Sequence, residues 1–470
     1  MNFKKLGLIA GLVIVSFIAI SIVSGVFFGA EARSETISAG GSAETGEVLA
    51  QSGDPADNSV EFFQTNLNTG DEGIEPDDGG DAGAGGSRSA PENTAIPSGE
   101  SGGTPGMAEG SPKSEESPVN FDDTVQMSAD CYGSVCNPTG NPIGGRTGYT
   151  RIITQTDPSV TTVVSTKDQL IAALNSAQSG DVVYVKPAAV IDLTGTPVLR
   201  IPAGVTLASN RGQSGSAGAL IKRDSSTGSA YNILFIAGDG VRITGLRLQG
   251  PMAGKYNYAI PTKYNMVGIR TYDDLEVDNC EIRGFTYGGI LVGDASHWMG
   301  TLNAHHNYIH HNYGIGNGYG ISVVGGSALI EANIFDYNGH SITGAGVQGE
   351  KYEARYNTIL GHDDPTAHHF DVHENSFGQA YSGYSYKIHH NTFYAANTAS
   401  PDVRYDVMFR GATVQSGIWV TYNIFWWPES WSVPPVFSYA TSKVYIVNNR
   451  VGCPPSLKAG TDSVAMFAAS

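Results

Sequence analysis

An all-β fold, a right-handed parallel β-helix, is what this chain predicts, and three observations predict it. Asparagines followed by apolar residues recur at Asn279, Asn307, Asn333, Asn357, Asn391, Asn423 and Asn448-Asn449, with spacings of 28, 26, 24, 34, 32 and 25 residues. A period in this range, with one short apolar strand pair per unit, marks a stack of coils. Beyond about residue 180 no helix-period pattern recurs, and the 60 glycines suit the tight turns that such coils need. Coils stacked at about 4.8 Å bring equivalent residues into ladders. An asparagine at a turn tolerates left-handed backbone and can bond to its equivalent one coil on.

Taken in order, the chain begins with Lys4 and Lys5 and an uncharged, mostly apolar run over residues 6–30. It is long enough to span a bilayer, and the lysines orient it so that everything after it is exported. An uncleaved membrane anchor over 1–30 is the expectation, with a cleaved signal peptide ending near Ala30-Glu31-Ala32 as the alternative. Residues 31–145 read as a disordered Gly/Ser/Pro-rich linker. Between 31 and 130 it holds 21 acids and 3 bases, which equals the −18 formal charge of the whole chain. The acidity therefore belongs to a self-repelling spacer, and the domain expected over 146–470 is near neutral, with no basic nucleic-acid patch. The domain is expected to lie outside the cell, tethered or secreted, as a monomer. Export makes a Cys131–Cys136 bridge plausible, whereas Cys280 and Cys453 read as small buried residues.

Thr166-Lys-Asp-Gln169 reads as a capping box that opens a helix through about Gln178, with Leu170, Ile171 and Leu174 on one face. This helix is expected to cover the open edge of the first coil, whose strand begins at Asp181-Val-Val-Tyr-Val185. Later strands align by inward apolar pairs: Ile290/Val292, Ile321/Val323, Val347/Gly349, Phe370/Val372 and Val407/Phe409. The outward columns then collect Gly346, His369 and Asp406; Gln348, Asp371 and Met408; and Glu350, His373 and Arg410. Charges converge there within about three coils, roughly 10–15 Å. His340, His362, Asp363, Asp364, His368, Asp402 and Arg404 enter from nearby loops. Convergent ionisable groups on a rigid sheet are candidates for chemistry. His305-His306 and His389-His390 precede ladder asparagines and read as structural.

Over roughly 150–470 the arrangement resembles the pectate-lyase-like β-helix superfamily, in the repeat, in Gly180-Asp181-Val-Val-Tyr-Val185 and in Leu199-Arg-Ile-Pro-Ala-Gly-Val-Thr-Leu207. Phe370-Asp371-Val372-His373-Glu374 is similar to the Asp-Pro-His motif of mannuronan C5-epimerases. Val372 stands in place of its proline, and His368 stands where a catalytic tyrosine is common. The resemblance implies an acidic polysaccharide substrate, with Asp371 and His373 catalytic, Arg410 or Arg404 neutralising the substrate carboxylate and His368, or a water, returning a proton. His369, Asp406, Glu350, Arg404 and Gln348 would then line the substrate groove.

C5-proton abstraction from a uronate needs a neutralised carboxylate and a base, and it ends in epimerisation or β-elimination from one intermediate. No cofactor is required. Rival readings are a metal site at His369, Asp371 and His373 with Glu350, calcium at Asp363, Asp364 and Asp402, and hydrolysis by the pair Asp371 and Asp406. A non-catalytic adhesin stacking sugars on Trp426, Trp427 and Trp431 is the third.

Overall fold

The computed structural model describes residues 131–224, 232–252, 266–294, 297–314, 316–362, 368–374, 381–394, 405–411, 413–427 and 434–452. The expected anchor, most of the linker, Cys453 and Trp431 lie outside them. Among the described residues no helix is long and apolar enough to cross a membrane.

Each coil contributes one strand to each of three parallel sheets, of 11, 10 and 9 strands (sheets A, B and C). A typical coil runs Asp274–Asp278 in sheet A, Glu281–Arg283 in sheet B and Gly288–Gly293 in sheet C before rejoining sheet A at Thr301. One continuous core fills the interior, from Val183, Ile201 and Leu207 in the first coils to Ile388, Phe393 and Phe425 in the last. This is the parallel β-helix expected. The helix spans Lys167–Ser176, and Thr166 Oγ1 caps it by accepting from the Gln169 amide (3.3 Å). It buries Leu170, Ala173 and Leu174 against the first coil.

The asparagine ladder runs from Asn307 through Asn333, Asn357, Asn391 and Asn423 to Asn449. Each Nδ2 donates to the next Oδ1 at 3.0 Å. Asn279 does not belong to it. Cys280, buried and reduced, occupies the ladder position there and its amide donates to Asn307 Oδ1 (2.8 Å). Asn279 lies one residue earlier, in a left-handed column with His306, Ala332, Tyr356, His390, Tyr422 and Asn448 (φ 51–56°). A left-handed non-glycine residue costs roughly 1–2 kcal/mol, and the ladder bonds beside it offset that cost. The histidine pairs are structural as expected. His305 meets Glu276 (2.9 Å) and His389 meets Glu353 (3.2 Å), and each pair shares an Nδ1···Nδ1 contact of 2.9 Å.

Residues 131–145, expected as linker, pack on the coils. Residues 131–151, opened by a Cys131–Cys136 disulfide, form a strap across the left-handed column. Gly133 N–H donates to the Tyr422 carbonyl (2.9 Å) and Gly144 N–H to the Ala332 carbonyl (2.8 Å). Arg146 N–H donates to Asn279 Oδ1 (2.7 Å), and the Tyr149 hydroxyl to Asp278 (2.8 Å). Composition alone read these residues as linker. The peptide carbonyls of the turns hold them in place.

Candidate active site

Sheet C carries the convergent charges, in a different register from the one read off the sequence. The strand between Tyr319–Val324 and Phe370–Val372 is His340–Gly344, with Ile342 opposite Phe370, Thr343 opposite Asp371 and Gly344 opposite Val372. Val347/Gly349 lies in the turn beyond it. Glu350 and Gln348 therefore leave the outward columns. Gln348 is exposed on that turn, and Glu350 points into the solenoid. Amides of Gly325, Ala345, Gly346 and Val347 donate to the Glu350 carboxylate (3.1–3.4 Å), as does the Tyr386 hydroxyl (3.0 Å). Gly344 leaves room for it, since a Cβ there would lie 2.4 Å from Glu350 Oε1. Burial pushes its pKa up to about 7 against these donors. Tyr386 is thus a core residue.

The first outward column also needs correction. Ser341 and Ile342 amides both donate to the His369 carbonyl (2.8 and 3.0 Å), a bulge at the corner into sheet C. Two successive residues therefore face inward. Cβ atoms on the equivalent Gly289 and Gly320 would meet Ile282 and Phe335 of the core. His369 and Asp406 occupy these inward positions, 3.5 Å apart, with His369 beside Phe393. They are not groove residues. The column one residue earlier faces outward and stacks Tyr319, His340, His368 and Tyr405 at centroid spacings of 5.5–6.4 Å.

Asp371, His373 and Arg410 do come together. Arg410 Nε and Nη2 hold the Asp371 carboxylate bidentately at 2.9 and 2.7 Å. His373 Nε2 lies 3.5 Å and His340 Nδ1 3.9 Å from Asp371 Oδ2. His340 Nδ1–H donates to the His368 carbonyl (2.7 Å), which fixes the orientation of the ring. His340 is the member that strand assignment missed. Its coil is short, and Val347/Gly349 gave a more even spacing.

The expected exposed face is in fact closed. Asp371 is fully buried and Arg410, with 13% of its side chain exposed, is the member that reaches the surface. Burial would raise the Asp371 pKa, but Arg410, then His373, His340 and His368, outweigh it and hold the carboxyl well below its usual range. Burial lowers His373 to about 4 and His368 to about 3, more than Asp371 restores. Both imidazoles are neutral at pH 7, and Asp371 is ionised.

The rival readings fare unequally. Asp406 faces the interior, so it shares no groove with Asp371 as a hydrolytic pair would. His369 and Glu350 likewise leave the proposed metal set. Asp363, Asp364, Asp402 and Arg404 lie outside the described residues. Glu276, Asp278 and His305 cluster on sheet A, but Arg151, Arg242 and the Tyr149 hydroxyl fill the space a metal would take. Trp427 is in the core and Trp426 packs beside Tyr394, while Trp431 lies outside the described residues.

No protein-family model matches the chain, and no curated protein matches its sequence. Among solved structures it is similar to an alginate lyase from Paenibacillus sp. str. FPU-7, at 14% identity over 62% of this chain and 95% of that one, with a TM-score of 0.38. It is also similar to the PL6 family alginate lyase AlyGC, at 12% identity over 65% of this chain and 42% of that one, with a TM-score of 0.31. Likenesses this faint carry no argument about activity.

Proposed function

We propose that the chain is a carbohydrate-active enzyme that removes the C5 proton of a uronate in an acidic polysaccharide, as a lyase or an epimerase. The observation that carries this reading is the meeting of Asp371, Arg410, His373 and His340 at one place on sheet C. Arg410 is poised to exchange one carboxylate for another, because a uronate carboxylate can take the bidentate geometry that Asp371 now holds. That exchange neutralises the substrate and lowers the cost of the developing enolate. His373, neutral at pH 7, offers a lone pair to the proton, and Asp371 then stabilises the imidazolium that forms. An ionised Asp371 has no proton to give. His368, with its pKa near 3, carries no extra proton either, so water is the better source for the returning proton.

A second reading is a polysaccharide-binding protein without turnover, favoured by the full burial of Asp371. Incubation with a panel of polyuronates in D₂O, alginate first, separates the two. Deuterium at C5 without cleavage identifies an epimerase and unsaturated ends a lyase. No isotope uptake and no new ends on any polyuronate would reject the enzymatic reading.

A further inference from the structure

Four rungs before Asp371, the same outward column of sheet C carries a second polar cluster. Arg270 sits in register between Leu291 and Phe235, and Phe235 sits beside Arg200. Arg270 Nη1 donates to the Tyr272 hydroxyl and to Asp294 Oδ2, each at 3.2 Å, and the Tyr272 hydroxyl donates to that same carboxylate oxygen. His297 donates its backbone N–H to Asp294 Oδ1 (2.8 Å) and stacks on Tyr272 with centroids 4.5 Å apart. The Arg200 guanidinium lies 4.8 Å over the Phe235 ring. Burial pushes the Tyr272 pKa up to about 12, so the phenol stays a donor.

This cluster opens onto the surface more widely than the one at Asp371, where Arg410 alone reaches it: Arg200, His297 and Trp298 are exposed. A structural ion pair would account for Arg270 and Asp294 alone. It does not account for a second guanidinium in the same column. Nor does it account for Arg270 Nε, which is buried without a hydrogen-bond partner. An unmet donor of that kind is costly, and an arriving anion can relieve it.

We propose that Arg200 and Arg270 form an anchoring site for two carboxylates of an acidic polysaccharide, with Tyr272, Asp294 and His297 holding Arg270 in position. The two arginines are two rungs apart, about 10 Å. A 1,4-linked chain that turns half a revolution per sugar presents the carboxylates of one edge at every second sugar, close to that span. Leu291, Ser322 and Thr343, between the two clusters, are fully buried. The anchor is therefore a separate site on the same face. Its ligand class rests on the function proposed above, whereas its existence does not depend on turnover.

The test is titration calorimetry of the full chain carrying His373→Gln with a hexauronate and with a neutral hexamannose. The expected result is binding of the hexauronate only, weakened at least tenfold by Arg270→Ala and by Arg200→Ala, and partly kept by Arg270→Lys. Arg200 is exposed, so its variant remains informative if Arg270→Ala does not fold. Unchanged hexauronate affinity in Arg200→Ala, equal binding of the neutral sugar, or no hexauronate binding in the parent would each overturn the anchor. Binding that passes this test alongside a wild-type chain without turnover would sink the catalytic reading and leave the anchor standing.

Discussion

At the scale of the residue, the Asp371–Arg410 pair decides how the site responds to change. A buried carboxylate without its guanidinium is an uncompensated charge, and breaking such a pair costs about 3–5 kcal/mol. Arg410→Ala should lower unfolding stability in urea at pH 7 by that order, and Arg410→Lys by less. His373→Gln should abolish any turnover while the melting temperature moves far less than in Arg410→Ala; retained turnover would remove His373 from the mechanism. Two buried groups set opposite pH trends. The folded pKa of His373 is depressed to about 4, so its contribution is fully present above the unfolded value near 6.5 and is lost as pH falls toward 4. The folded pKa of Glu350 is raised to about 7, so its contribution is fully present below about 4.5 and is lost as pH rises through 7. Glu350→Gln should therefore remove a loss of stability between pH 5 and 8, read as a flatter urea midpoint over that range.

At the scale of the element, the ladder is where sequence and structure agree most closely. The Asn357 side chain donates to Asn391 Oδ1 (3.0 Å) and the Ile330 carbonyl (2.8 Å), and accepts from Asn333 (2.9–3.0 Å). Asn357→Ala leaves several buried polar groups unmet, at about 1–3 kcal/mol each before relaxation. A fall of several degrees in melting temperature is the expected outcome. The repeat was legible because ladder asparagines and inward Val, Ile, Leu and Phe recur on every coil. The site was legible in part. Asp371, His373 and Arg410 lie on strands whose apolar pairs are unambiguous. His369, Asp406, Glu350 and His340 were misplaced because period-2 alternation was carried through a bulged corner and a short coil. Neither feature leaves a mark in residue type: His340-Ser-Ile-Thr-Gly344 and Val347-Gln-Gly-Glu350 are equally plausible strands until the neighbouring coil selects one. The strap was illegible for a related reason. Several of its bonds are made by main-chain amides, which every residue but proline has.

At the scale of the whole molecule, a solenoid is stabilised coil against coil, and distant coils contribute nearly independently. The strap adds contacts that are remote in sequence, Ser134 to Thr392 (2.9 Å) and Tyr149 to Asp278 (2.8 Å), so late and early coils share one covering segment. Removing residues 131–151 should lower the melting temperature and broaden the transition measured by circular dichroism. An unchanged, equally sharp transition would show that the strap lies on the coils without coupling them. Its direction matters as well. Cys131 starts beside the late coils, and the segment runs back toward the first one. Tension applied upstream of Cys131 would therefore peel the strap away one bond at a time, like tape lifted from its end, and would not shear all its bonds at once. Under mechanical load the protein should yield first at this seam, at low force, with the coils beneath still stacked.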